Sequence, residues 1–280
     1  MNTLSDTFSF HRWWLLVSKH WSENYRRYLL FLLAIAGLLL AWFSFILMVS
    51  QLMLVDLFMQ FSAYFAGLYL VGCFYASWLF SDLNSSQSGI GFLALPASHL
   101  EKLLCALFFG VLVFFVGYTL VFYLVDIPIL QLSNNILQRF PRNYQGTTSR
   151  IPPAILYNLF TNQSFVPETR TFLSGFFSAQ ALFFLGGVYF IRWTFIKSVI
   201  ATLLCLLIFV VIDARLINFF LPSGWHDVFF LWVHSDPDQH PNQYVKLPHT
   251  LGQLIDIFIS VCAPLVLWII TWQRLKEKEV

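Results

Sequence analysis

Charge is what this sequence has least of. Asp, Glu, Lys and Arg make up only 11% of its 280 residues and apolar side chains 58%, where a soluble domain carries about 25% charged residues. That shortage excludes a large water-facing surface, so the chain reads as an integral membrane protein. The 16 Lys and Arg nearly cancel the 14 Asp and Glu, for a net charge of +2. No global basic field is left to hold a nucleic acid.

Cysteine is also scarce. Cys73, Cys105, Cys205 and Cys262 each fall inside an apolar run, and none belongs to a CxxC pair. They read as small core residues rather than disulfide or metal partners. The opening MNTLSDTFSFHRWW lacks the basic start and apolar core of a cleaved signal peptide, so insertion is expected to use the first span as its signal. No GxSxG elbow, HExxH pair, GxxxxGK[ST] loop or dinucleotide glycine pattern occurs. The chain is therefore expected not to be an enzyme, nor to bind and hydrolyse ATP in the usual way. No internal repeat or low-complexity tract stands out.

What is present is a series of long apolar runs. A bilayer core needs about 20 helical residues, and six runs qualify, at 28–49, 57–80, 103–125, 171–191, 197–219 and 251–272. Gln180 dilutes the fourth, but Gly175, Ser178, Ala179, Gly186 and Gly187 are residues that let helices approach closely in lipid. Burial inside a bundle follows. Ahead of the first run, residues 8–25 carry Phe10, Trp13, Trp14, Val17 and Trp21 at helical spacing, with Arg12, Lys19 and Glu23 on the other side. That pattern suits an amphipathic elbow helix lying in the membrane interface; a peripheral soluble helix is the plainer reading. The expected fold is one all-α polytopic membrane domain over 1–280: an elbow helix and six transmembrane helices.

Orientation follows from the cations. With the amino terminus inside, Arg12, Lys19, Arg26, Arg27, Lys102, Arg192, Lys197, Arg274, Lys276 and Lys278 are cytoplasmic, whereas Arg139, Arg142, Arg150, Arg170, Arg215 and Lys246 fall outside, in longer stretches that influence topology less. Both termini are expected in the cytoplasm.

Between the second and third runs lies a polar island at 81–102, SDLNSSQSGIGFLALPASHLEK. Ser98 and Glu101 form a capping-box pattern that starts a helix, and Pro96 turns the chain just before it. Residues 82–91 have the makings of a short surface helix, with Asp82 or Ser85 near its cap and Gly89 and Gly91 as its terminator. An ordinary loop and a docking surface for a partner that moves the spans are both open readings.

Two outer loops are expected, at 126–170 and 220–250, neither apolar enough for an independent core. The second holds His234, Asp236, Asp238 and His240, the one cluster with metal-ligand chemistry, against the plainer reading of a solvated loop. Asp213 and Arg215 near the outer end of the fifth span and Asp256 near the start of the sixth lie at similar depth, so an ion pair or a substrate contact is open there. Pro264 is expected to kink the sixth span.

The elbow pattern HRWWLLVSKHW, the six spans and the dozen residues GFLALPASHLEK at 91–102 together resemble the permease subunits of type-2 ATP-binding-cassette exporters. The motif is similar to the FLxLPAS-x-x-EK signature of a bacterial subgroup. The likeness of layout covers nearly the whole chain, the motif only that dozen. The resemblance implies a half-transporter in a bacterial cytoplasmic (inner) membrane. A second permease chain, identical or related, would complete the pathway, and separate cytosolic ATPases would supply the drive; ATP and magnesium would bind there, and no cofactor on this chain. It implies a coupling helix containing Asp82, Leu83, Asn84, Ser85, Ser86, Gln87, Ser88 and Gly89. Pro96, Ser98, Glu101 and Lys102 would fix where the third span begins, and Arg192 and Lys197 would make a smaller second contact. The abundance of aromatics, 32 Phe, 10 Trp and 11 Tyr, suits a hydrophobic or amphipathic substrate and suits lipid-facing helices equally. Two other classes remain: a membrane scaffold or immunity-type protein without transport, and a metal-dependent membrane enzyme built on the 234–240 cluster.

Overall fold

A computed structural model describes residues 8–49, 56–79, 97–139, 153–158, 166–190, 193–220, 225–227, 232–235, 244–246 and 257–278. Helices dominate, as hydropathy requires: in lipid each backbone polar group must be satisfied within its own segment. In chain order they are α1 (Phe10–Val49), α2 (Leu57–Leu79), α3 (His99–Arg139), α4 (Val166–Tyr189), α5 (Thr194–Phe220) and α6 (Ala263–Lys278), the last preceded by a π-helical turn at Phe258–Cys262. Five of them, α1 to α5, are long and apolar enough to cross a membrane among the described residues. The second, fourth and fifth expected spans match α2, α4 and α5 to within a few residues.

Three expectations change. The elbow and the first span form one helix of 40 residues, about 60 Å long at 1.5 Å per residue, twice the bilayer core. The break expected near residue 26 is absent because no glycine or proline occurs between Phe10 and Ala36, while Lys19 and Glu23 add an i,i+4 pair at 3.9 Å. Next, α3 runs past the expected end at residue 125, through Pro128, to Arg139. Proline removes the bond to the carbonyl four residues back, which belongs to Leu124, a residue 72% exposed, so the helix tolerates it on its outer side. Finally, the second outer loop is not wholly irregular. Strands β1 (Trp225–Asp227), β2 (Trp232–Ser235) and β3 (Tyr244–Lys246) form an antiparallel meander in the order β1-β2-β3.

Packing is aromatic and alternates direction from helix to helix. Tyr64 and Tyr118 are fully buried; the Tyr118 hydroxyl donates to the Tyr64 carbonyl at 2.8 Å, and the Tyr64 and Thr119 hydroxyls share a bond of 2.9 Å. These bonds fasten α2 to α3 and satisfy hydroxyls that lipid could not. Where α3 meets α4 it takes a π-helical turn over Phe108–Val113. Gln180, 1% exposed on α4, donates its amide to the Gly110 carbonyl of that turn at 2.6 Å. The residue that diluted the fourth span is thus the partner of a carbonyl in the irregular turn. Gly110 has no room for a side chain, since a Cβ there would lie 2.1 Å from the Phe184 ring, and Gly186 likewise meets Ser198 of α5 at 2.0 Å. Close approach explains the small residues of α4, as expected.

Of the cysteines, Cys73 and Cys105 are buried, Cys262 is half-buried and Cys205 is exposed, so two of the four are not core residues; all are free thiols. At the sixth helix the irregularity is the π-helical turn Phe258–Cys262, directly upstream of Pro264. Proline cannot donate a backbone bond, and a widened turn accommodates that loss.

Candidate functional site

The residues singled out at the start of α3 come together at one end of the bundle. Ser98 is the N-cap in extended conformation, its hydroxyl accepting from the Glu101 amide while the Glu101 carboxylate accepts from the Ser98 amide, so both halves of the capping box form. The distances are 3.2 and 2.9 Å. The local pattern S-x-x-E dictates this much.

Glu101 does more than cap. Its other carboxylate oxygen accepts the Ser9 amide at 2.8 Å and pairs with the Arg12 guanidinium at 3.2 Å. One fully buried carboxylate therefore joins the beginnings of α1 and α3. Burial of a charge is costly unless it is paired and hydrogen-bonded, and here three donors converge on it. Lys102, also buried at 2% exposure, continues the helix, its amide donating to Ser98 at 3.0 Å.

Above this joint the first half of α1 runs across α3 rather than along it. Trp13 meets Phe108 edge-on at 5.7 Å, and His20, Trp21 and Tyr28 lie 4.7, 6.4 and 5.7 Å from Phe109. Four rings of α1 spread over residues 13–28 thus gather on two neighbouring rings, whereas Phe43 meets Phe122 farther on, at 6.0 Å. Of the five residues expected on the elbow's apolar face, Val17 is buried and Trp13 half-buried against α3, while Phe10, Trp14 and Trp21 are exposed.

The same end collects the close of α4, the opening of α5 and the close of α6. Arg274 lies 5.0 Å over the Tyr189 ring and Lys197 5.9 Å over that of Phe190, while Arg274 also pairs with Glu277. Leu103, Ala76, Phe183 and Val188 form a small apolar cluster with Trp272 against it. A force applied at Ser98 meets packed neighbours on α2, α4 and α6. The first and last helices accordingly begin and end on one side of the bundle.

Between α4 and α5, Trp193 adopts φ 57° and is 74% exposed. A bulky residue in the left-handed region is strained, and such strain clusters at functional positions. Sequence reasoning missed it, naming Arg192 and Lys197 in the same turn. Arg192 lies outside the described residues, as do Asp82, Leu83, Asn84, Ser85, Ser86, Gln87, Ser88, Gly89 and Pro96.

The remaining candidates lie mostly outside the described residues. Arg215 is exposed, and the Asp213 side chain and Asp256 lie outside the described residues. His234 sits on β2 with its backbone opposite His226 and Tyr244, whereas Asp236, Asp238 and His240 are outside the described residues. Among the described residues no three metal-ligating side chains cluster. A different acid was overlooked: Asp126 of α3 is fully buried with neither carboxylate oxygen hydrogen-bonded among the described residues. Its signal in the sequence is an acid directly after an apolar run.

Comparison with protein-family models, with curated proteins and with solved structures finds no match.

Proposed function

We propose that this chain is the membrane-spanning subunit of an ATP-driven exporter of the type-2 ATP-binding-cassette class, moved by a separate cytosolic ATPase and completed by a second permease chain. The observation that carries the reading is the Glu101 joint. The polar stretch 81–97 leads into a capped helix whose first turn is tied to Ser9, directly ahead of α1, and to Arg12 of α1, and whose following turns pack against α2, α4 and α6. A push on that stretch is therefore delivered to several helices rather than dissipated in a loose loop. Rigid-body tilting of packed helices is how such a push becomes a change of access.

In this reading, residues 82–91 insert into the ATPase, Trp193 and Lys197 make the second contact, and both termini face the cytoplasm of a bacterial cell. The transported molecule is hydrophobic or amphipathic, in keeping with the aromatic core. Catalysis of ATP hydrolysis belongs to the partner, with its own magnesium.

The test is to purify the tagged chain from its native membrane in mild detergent and identify what accompanies it. An ATPase that co-purifies with the wild type, and is lost when 82–91 are replaced by a Gly-Ser stretch of equal length, supports the proposal. A chain that purifies without any nucleotide-binding partner contradicts it and favours a scaffold.

A further inference from the structure

The opposite end of the bundle is closed in a different way. Residues 153–158, which lie between α3 and α4, belong to neither a helix nor a strand. Two side-chain amides stand in for a strand partner. Asn134 of α3 donates to the Ala154 carbonyl at 3.0 Å and accepts the Ala154 amide at 2.9 Å. Gln60 of α2 donates to the Ile155 carbonyl at 2.9 Å and accepts the Tyr157 amide at 2.7 Å. A carboxamide presents one donor and one acceptor side by side, as a peptide group does, so each grips the backbone without regard to side chain.

Only one side chain of the segment is sunk completely. Tyr157 is fully buried, edge-on to Phe61 at 5.7 Å and sharing a hydroxyl bond of 2.6 Å with Thr169, while Ile155 two residues earlier is 68% exposed. The partners divide by origin. Asn134 and Thr169 sit on α3 and α4, the two helices this stretch of chain connects, whereas Gln60 and Phe61 belong to α2, more than 90 residues away. The segment can therefore let go of α2 while staying attached to α3 and α4. Letting go breaks the Gln60 bonds and parts Tyr157 from Phe61, while the hydroxyl bond to Thr169 of α4 holds.

We propose that residues 153–158 are a releasable strap: Asn134 is its hinge side, Gln60 is its latch, and release uncovers Gln60 and Phe61 of α2 at this end of the bundle. The strap stands independently of the transporter reading. A channel, a scaffold or an exporter could carry it.

Hydrogen exchange of the full-length chain in lipid nanodiscs tests it without any transport assay. The Tyr157 amide, held by Gln60, is expected to exchange through a local opening, at least about tenfold faster than the amides of residues 64–68 in α2, while the Ala154 amide, held by Asn134, stays the more protected of the two. Gln60→Ala should speed exchange in the strap by roughly a further tenfold and leave the helices unchanged. Tyr157→Cys, in a chain whose four native cysteines are replaced by serine, should react slowly with a membrane-impermeant maleimide, and faster when Gln60→Ala is added. A Tyr157 amide as protected as those of α2 in the wild type, where no variant has to fold, would overturn the proposal. So would a Gln60→Ala effect spread evenly over α2 and α3, which marks a permanent structural tie.

Discussion

The two ends of this bundle are fastened by different chemistry. At one, a buried carboxylate gathers a guanidinium and two backbone amides and ties the starts of two helices together. At the other, two neutral amides hold a segment by its backbone. The charged joint is expensive to break, because a charge left without partners in a dry place costs more than a lost neutral bond. The amide clamp is cheap, because its groups return to water when it opens. In the proposed reading one end transmits and the other yields.

Breaking the charged joint should give the largest effect. Glu101→Ala removes the carboxylate half of the capping box and with it the acceptor of the Ser9 and Ser98 amides and of Arg12, so a loss of about 2–4 kcal/mol is expected, read as a lower midpoint of thermal unfolding in detergent; Glu101→Gln should fall between it and the wild type. If the alanine variant melts with the wild type, the two ends do not differ as described. Asp126 sharpens the contrast from inside α3, since it is a buried acid with no partner among the described residues. Asp126→Asn keeps the shape and removes the charge, so a gain of about 1–2 kcal/mol is expected in the same assay. A marked loss would point to a counter-charge on it.

Strain provides a smaller test. Trp193→Gly should relieve the left-handed backbone, worth about 1–3 kcal/mol, less about 1 kcal/mol for the added freedom of glycine. Stability should be equal or slightly higher, while retention of the ATPase falls in a pull-down; unchanged retention removes Trp193 from the contact. Smallest of all, Lys19→Ala or Glu23→Ala should shift the midpoint by less than about 0.5 kcal/mol, because that pair is exposed. A larger shift would mean that this part of α1 is held by its charges rather than by its rings.

Local rules reached the charged joint only halfway. Ser98 and Glu101 stand three residues apart, and their capping box is a property of that spacing, so it was legible. The Arg12 contact to the same carboxylate spans 89 positions and leaves no trace in either neighbourhood. Helix placement was legible where hydropathy alone decides it, as in α2 and α5. It failed where composition changes inside a continuous helix: the aromatic and charged pattern of residues 8–25 suggested a separate element, and the apolar run 103–125 an end at its close, yet the helix continues through both. The amide clamp was illegible for a different reason. Gln60 and Asn134 look like ordinary polar residues near span ends, and a segment gripped by its backbone carries no side-chain code. The strands of the meander run only three or four residues, too short a pattern to separate from loop.

ATP hydrolysis by the purified assembly, with Glu101 intact and replaced, is the most direct measurement. If the joint passes motion from an ATPase to the helices, the wild-type preparation hydrolyses ATP and its rate responds to a transported amphiphile. The Glu101→Ala assembly then keeps the ATPase bound and hydrolysing but loses that response. Hydrolysis that responds equally in both would contradict the role of the joint, and a preparation without hydrolysis would contradict the exporter itself.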